Sequence, residues 1–214
     1  IPCCADYNKF KILNNLSINK LRDQLKIDSK EKVIGYIGSI SPLYMVEEML
    51  FFFSELNKKK LNYKFLILTN QKNKINQMIN IFEKNGTLIK KFIIVKSVDG
   101  DNISNYINIF NVSLCFVKST FARIASSPTK IGESLACGIP IICNKNVGDL
   151  NTMIPKIQNY GLHDFSKKNN IKLAINDIFK LEKLDKELIR ENSRKFLDLN
   201  LAASLYKKVY EYIN

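Results

Sequence analysis

Lys130 and Glu133 stand three residues apart in the stretch SSPTKIGESLACGIPIIC, residues 126–143. A cation and a carboxylate at that spacing share one face of a helix, and the stretch reads as a helix start, a short helix, a stop and a buried strand. Pro128 suits the first helical position, because its missing N–H would have no intrahelical partner there. Ser127 is then the natural cap. At about 100° per residue, Lys130, Glu133, Ser134 and Cys137 fall on one arc. Ile131, Gly132, Leu135 and Ala136 fall on the other, where small residues allow close packing on a sheet. The free amides of a helix N-terminus attract an anion, and the helix dipole adds to this. Lys118 and Arg123 precede the helix and Lys130 lies in its first turn, so three cations converge. A cation there opposes the dipole, which makes sense if an anion arrives to offset it. One turn deeper, Glu133 is placed to accept hydrogen bonds from hydroxyl groups such as those of a ribose. Phosphate followed by ribose is how a nucleotide would lie along this face. The plain alternative is a surface ion pair worth about 0.2–0.5 kcal/mol.

The elements that must position this face alternate along the chain. Ser17 is a candidate cap for a helix through Leu21 and Leu25. KVIGYIG (32–38) is an apolar run ending in Gly, as in a buried parallel strand, and 43–56 follows with helical spacing. The pattern repeats: strand 63–69, helix 71–86 ended by Gly86, strand 91–95, short helix 102–110 and strand 112–117. The opening stretch supplies the next helix and the strand 140–143. Asp149 is placed to cap one more helix, and three helical segments fill 168–212. This order predicts an α/β fold, a doubly wound parallel sheet covered on both faces, with C-terminal helices. One unit is expected over 1–214: a lead-in to residue 30, the α/β core at 31–165 and the helices at 166–214. Ligands of such sheets bind in the loops at the strands' carboxyl ends. The loops to consider are therefore 38–44, 96–102, 118–129 and 144–149.

Bulk properties narrow the classes. Of 214 residues 46% are hydrophobic and 25% charged, enough for a normal core. Five cysteines form no C-x-x-C or Cys/His array. Cys115, Cys137 and Cys143 lie inside apolar runs, which reads as reduced core thiols and a cytoplasmic setting. The net charge of +13 comes from lysines spread over the whole chain, without a helix-turn-helix or an aromatic-and-basic strand motif. Nucleic acid is therefore not the expected partner. Anionic small molecules fit, as does peripheral contact with an anionic membrane at its inner face. The start at Ile1-Pro2, without an initiator Met, reads as a piece of something longer. His163 is expected to be structural, Asp99-Gly100-Asp101 to form a turn, and the apolar face of 201–213 to be core or an interdomain contact.

The segment from Pro128 to Ile141 resembles the P-x-K-x-x-E-x-x-A-x-G-x-P-V-I donor motif of retaining GT-B glycosyltransferases of the large family four. IPCCADYNKF (1–10) is similar to that family's entry into its second domain. VIGYIGSISPLYMVEEMLFFFSEL (33–56) is similar to the domain's first strand, glycine loop and helix, and NKNVGDL (144–150) to a later loop. The resemblance thus runs over nearly the whole chain, in the right order. It implies the donor-binding half of an enzyme that transfers a sugar, with retention, to a glycan or lipid-linked acceptor, as in cell-envelope polysaccharide synthesis. The donor would be UDP- or GDP-linked, with no metal or other cofactor. Phosphates would sit at Ser127, Thr129 and Lys130 with Arg123 and the Gly38–Ser39 loop nearby, the ribose at Glu133, and the base at Lys96 and Val98.

Three departures shape that expectation. Ala125 stands where the family has a glutamate that touches the transferred sugar. The first loop lacks the usual Arg and Lys, with Ser39 and Tyr44 near their places. The acceptor half is absent from the chain, so residues 1–214 are expected to bind donor and transfer no sugar. A non-catalytic nucleotide-binding or regulatory module and a sugar-nucleotide epimerase are the rival readings.

Overall fold

The computed structural model describes residues 1–59, 61–84, 86, 88–159, 161–165 and 168–213. Strands β1 (Lys32–Ile37), β2 (Tyr63–Leu68), β3 (Ile93–Lys96), β4 (Val112–Cys115), β5 (Ile141–Asn144) and β6 (Gly161–His163) form one sheet. All neighbours are parallel, in the order β3-β2-β1-β4-β5-β6. This is the doubly wound arrangement that the alternation predicted. The helices are α1 (Asn15–Gln24), α2 (Val46–Lys58), α3 (Lys72–Lys84), α4 (Ile103–Ile107), α5 (Thr129–Ala136), α6 (Leu150–Lys156), α7 (Lys168–Leu181), α8 (Lys186–Leu197) and α9 (Leu199–Ile213). None of them is long and apolar enough to cross a membrane.

Period-two side-chain alternation divides the core between the sheet's faces. Ile34, Tyr36, Phe65, Ile67, Leu114 and Ile142 pack with α2, α3 and α7. Val33, Leu66, Leu68, Cys115, Ile141 and Cys143 pack with α5, α6 and α8. Both faces being covered explains why the central strands read as unbroken apolar runs. Gly35 is the gap in β1 because Phe110 fills it: a Cβ there would lie 2.1 Å from the ring. Gly35→Ala is therefore expected to cost about 1–3 kcal/mol by overpacking, read as a lower urea midpoint. An unchanged midpoint would show that the ring yields freely.

Local chemistry moved several expected boundaries. Asn14, not Ser17, caps α1, its side chain accepting the Ser17 amide at 2.9 Å. The strand expected from residue 91 opens as a 3-10 turn, Lys90–Phe92. The helix expected to reach residue 110 ends at Ile107, because buried Asn108 turns back on the backbone. Its Nδ2 donates to Ser104 O and Lys11 O, and its Oδ1 accepts from Leu13 N. Such side-chain bonds offer the chain an alternative to the helix ladder, and here they also staple the lead-in to α4.

The lead-in is held from the other side by Arg190 of α8. Its guanidinium donates to Tyr7 O (2.6 Å), Phe10 O (2.5 Å) and Ala136 O and stacks on the Tyr7 ring. The Tyr7 hydroxyl donates to Ser193 Oγ, and burial pushes its pKa up to about 12. Ala5 bridges to Asp198, accepting from Leu199 N and donating to Leu197 O. Of the two expectations for the apolar face of the final helix, core or interdomain contact, the first fails. Among its described residues only Ala202 is buried, and Tyr206, Val209, Tyr210, Tyr212 and Ile213 stand exposed. Its apolar face is not core.

Candidate functional site

The chain winds from β1 outward to β3, then returns across the sheet to β4. The β1–β4 boundary is thus the switch point, where crevices form at strand carboxyl ends. A cleft of about 370 Å³ opens on the β3 side of this boundary. Its walls are Ile37, Gly38 and Ser39 after β1, Leu68 to Gln71 after β2, Val98 and Ile103 after β3, and Lys130 from α5. Four expected site residues from three separate segments, Gly38, Ser39, Val98 and Lys130, therefore meet on one surface.

The β1 loop is clamped. The buried Tyr36 hydroxyl donates to Ser39 O at 2.8 Å, and burial holds that phenol well above its ordinary pKa. Gln71 Oε1 accepts the Ile40 amide at 2.5 Å. The β2 loop is tied to β3 through Thr69 N and Lys96 O at 2.9 Å. Lys96 itself ends over the Tyr106 ring, 5.2 Å from its centroid, rather than on the cleft wall.

Helix α5 begins one residue later than expected. Pro128 takes the cap position with no side-chain cap bond. Ser127 does not cap: its hydroxyl lies 3.4 Å from Asp149 Oδ1. Asp149 occupies the cap position of α6, but without a side-chain cap bond of its own. The two helix starts are joined to each other instead. Gly148 lets them approach, at φ +51, with a Cβ position 2.5 Å from Ser126 O. Arg123, expected near the phosphates, donates to Ser126 Oγ at 3.1 Å, and its carbonyl accepts from Gly148 N at 2.8 Å. Arg123, Ser127 and Thr129 thus stand at the neighbouring loop and helix start and not on the cleft wall. Phe121, Ile124 and Ala125 are exposed in that loop.

Lys130 Nζ lies 3.1 and 3.0 Å from the two Glu133 carboxylate oxygens. The side chains are 38% and 15% exposed; Lys130 lines the cleft, whereas Glu133 stands behind it and off the cleft wall. The rest of the expected arc closes up. Ser134 is buried with its hydroxyl on Ser113 Oγ at 3.1 Å, and Cys137 is buried toward Ser104 O. A helix in a doubly wound fold is covered on more than half its circumference, so only its first turn stays open. Burial pushes the thiols of Cys115 and Cys137 up to about 12 and that of Cys143 well upward. They are protonated core groups, not nucleophiles.

Other candidates resolve into structure. His163 Nε2 lies 2.8 Å from Asp177 Oδ2. Its pKa is lowered, chiefly by burial, with Asp177 opposing. Asp99 to Asn102 close a turn, with Asp101 bound to Lys9 at 2.9 Å. Sequence reading missed Thr69, Asn70 and Gln71. The expected strand ends at residue 69 and the expected helix begins at 71, which leaves a single residue between them. Strand order supplies the signal, since a β2 lying between β1 and β3 must send its end into the same cleft.

The fold places the chain among solved structures. Sucrose-phosphate synthase from Thermosynechococcus elongatus superposes with a TM-score of 0.73 and 16% identity, over 100% of this chain and 52% of that one. Anabaena Alr3699/HepE in complex with UDP-glucose gives 0.73 and 15%, over 98% and 55%. The C-terminal domain of a glycosyl transferase group 1 family protein, LpcC, from Francisella tularensis gives 0.64 and 17%, over 94% and 98%. The chain spans about half the length of the first two. The match to the second domain of the GT-B architecture is therefore one of fold. No curated protein sequence matches the chain significantly. The model of the family "Glycosyl transferases group 1" matches residues 17–196. With that span covering most of the sheet and its helices, the chain belongs to the glycosyl transferases group 1 family.

Proposed function

We propose that this chain is the donor-binding domain of a glycosyltransferase that retains anomeric configuration, and that it holds a UDP- or GDP-linked sugar without a metal or further cofactor. The observation that carries the reading is the meeting of Gly38, Ser39, Val98 and Lys130 on one cleft beside the first turn of α5. The UDP-glucose complex of Anabaena HepE, similar in fold, supports it. In this reading the base rests at Val98, the diphosphate faces Lys130 and the α5 amides, and Glu133 exchanges its bond to Lys130 for the ribose hydroxyls. Fixed dipoles and one cation would stabilise charge on the departing diphosphate. Transfer also needs an acceptor aligned at near-attack distance, which we assign to a partner half outside residues 1–214. The acceptor would be a glycan or a lipid-linked sugar. A second reading, a binding or regulatory module, rests on Ala125, which brings no carboxylate to the loop before α5.

Calorimetry tests the main reading: UDP or GDP should bind more tightly than AMP or NAD. Absence of any preference for a nucleoside diphosphate would remove it. Glu133→Gln should weaken UDP or GDP binding by about 1–3 kcal/mol, the range for a bond to a charged group. Pyrophosphate should bind the variant no less tightly, and the melting temperature should scarcely move. If the variant unfolds easily yet binds nucleotide normally, Glu133 is structural.

A further inference from the structure

Asn70 stands on the cleft wall at the end of β2, among the residues just assigned to a nucleotide. Its Oδ1 accepts the Ser97 hydroxyl at 2.6 Å. A carboxamide has one acceptor oxygen and one NH2 with two donors. The oxygen is turned toward Ser97, so the NH2 is the end offered to a ligand, and among the described residues it has no protein partner. The pair is held in register. Thr69 N donates to Lys96 O at 2.9 Å, which locks the residues before Asn70 to the residue before Ser97. Gln71 N lies 3.2 Å from Thr69 Oγ1, and the Gln71 side chain grips the Ile40 amide. The carboxamide is therefore a donor on a braced loop, next to Val98.

We propose that the Asn70–Ser97 pair selects the donor's base, accepting a keto edge and rejecting an amino edge. This inference rests on the donor-site reading above. Uracil and guanine offer a carbonyl oxygen to the Asn70 NH2. Asn70 and Ser97 are exposed in the free protein; a cytosine or adenine laid over them places an amino group at the corresponding position, and once the base has displaced the water there, two donors face each other and neither is satisfied. Sites built around a hydrogen bond discriminate chiefly through the group left unpaired by the wrong ligand. The strand order agrees: the β2 loop lies between the β3 loop, where Val98 stands, and the β1 loop, so Asn70 flanks the base end of the cleft.

The test is calorimetric titration of residues 1–214 with UDP, GDP, CDP, ADP and pyrophosphate. Wild type should bind UDP or GDP about tenfold more tightly than the corresponding amino base, CDP or ADP. Asn70→Ala should bring the UDP:CDP and GDP:ADP affinity ratios close to one while leaving pyrophosphate unchanged. Asn70→Asp puts acceptors where the NH2 stood. Its added charge weakens every diphosphate alike, so the ratio is the readout, and it should shift at least tenfold toward CDP or ADP. Ratios unchanged in both variants, with nucleotide still bound, would overturn base selection and leave the donor site standing. If wild type binds no nucleoside diphosphate, both this inference and the donor-site reading fall.

Discussion

Arg190→Met is expected to destabilise the protein by about 3 kcal/mol or more, the largest single loss foreseen for a side chain outside the sheet. Arg190 donates to three backbone carbonyls, on Tyr7, Phe10 and Ala136, and lies over the Tyr7 ring. Methionine replaces the stem but none of the donors. Each carbonyl that loses its partner away from water costs roughly 1–3 kcal/mol. Partial water access to this half-buried site keeps the sum toward the low end. For a domain of this size the loss corresponds to about 6–12 °C in melting temperature. Arg190→Lys should recover only part of it, because an ammonium cannot reproduce the planar fork. Urea unfolding of the three proteins provides the check. A loss below 1 kcal/mol in Arg190→Met would mean that water satisfies the carbonyls and that the guanidinium is incidental.

The largest expected effect on binding belongs to Lys130→Met. Among the described residues Lys130 is the one cation on the cleft wall, since Lys96 lies on Tyr106 and Arg123 on Ser126. Removing it takes away a charge-assisted contact worth about 1.5–3 kcal/mol. It also leaves the Glu133 carboxylate without its partner at 3.0 Å, so that a negative group now faces the phosphates. Affinity for UDP or GDP should fall by about 30-fold or more, each factor of ten being about 1.4 kcal/mol. Stability should hardly change, because an i, i+3 surface pair contributes only about 0.2–0.5 kcal/mol. Lys130→Met/Glu133→Gln should bind pyrophosphate better than Lys130→Met alone, since the exposed repulsion is gone. A dissociation constant within threefold of wild type in the single variant would remove Lys130 from the phosphate site.

The sheet was legible because its strands are buried on both faces and announce themselves as apolar runs between helical repeats. The switch point was not, because alternation leaves strand order open and only the pairing of β1 with β4 places it. Cap positions were not legible to the residue. Asn14 outcompetes Ser17 because its longer side chain, one turn earlier, reaches the Ser17 amide. Ser127 is drawn from its own helix by Asp149, a tertiary partner that no local pattern announces. The Lys130–Glu133 face was legible as a helical pair, but its extent was not. Ser134 and Cys137 lie on the same arc and are sealed by β4 and α4. Asn70 has a related reason for being illegible: a three-residue turn between strand and helix carries little composition signal, and only strand order places it on the cleft.

The pairing of Ala5 with Asp198 joins segments near opposite ends of the chain. Closing so long a loop has an entropic cost that rises slowly with its length, and contacts of this kind are rewarded only after the intervening elements exist. The strand–helix–strand units from β1 to β5 can assemble through nearer contacts. The lead-in, α8 and the start of α9 are therefore expected to dock after the sheet has formed, and to open before it melts. Hydrogen exchange in mild denaturant checks this: the Ala5 and Leu199 amides, which pair across the bridge, should exchange before those of β1 and β4. In that case the Arg190 clasp and the Ala5 bridge act as a latch on these segments.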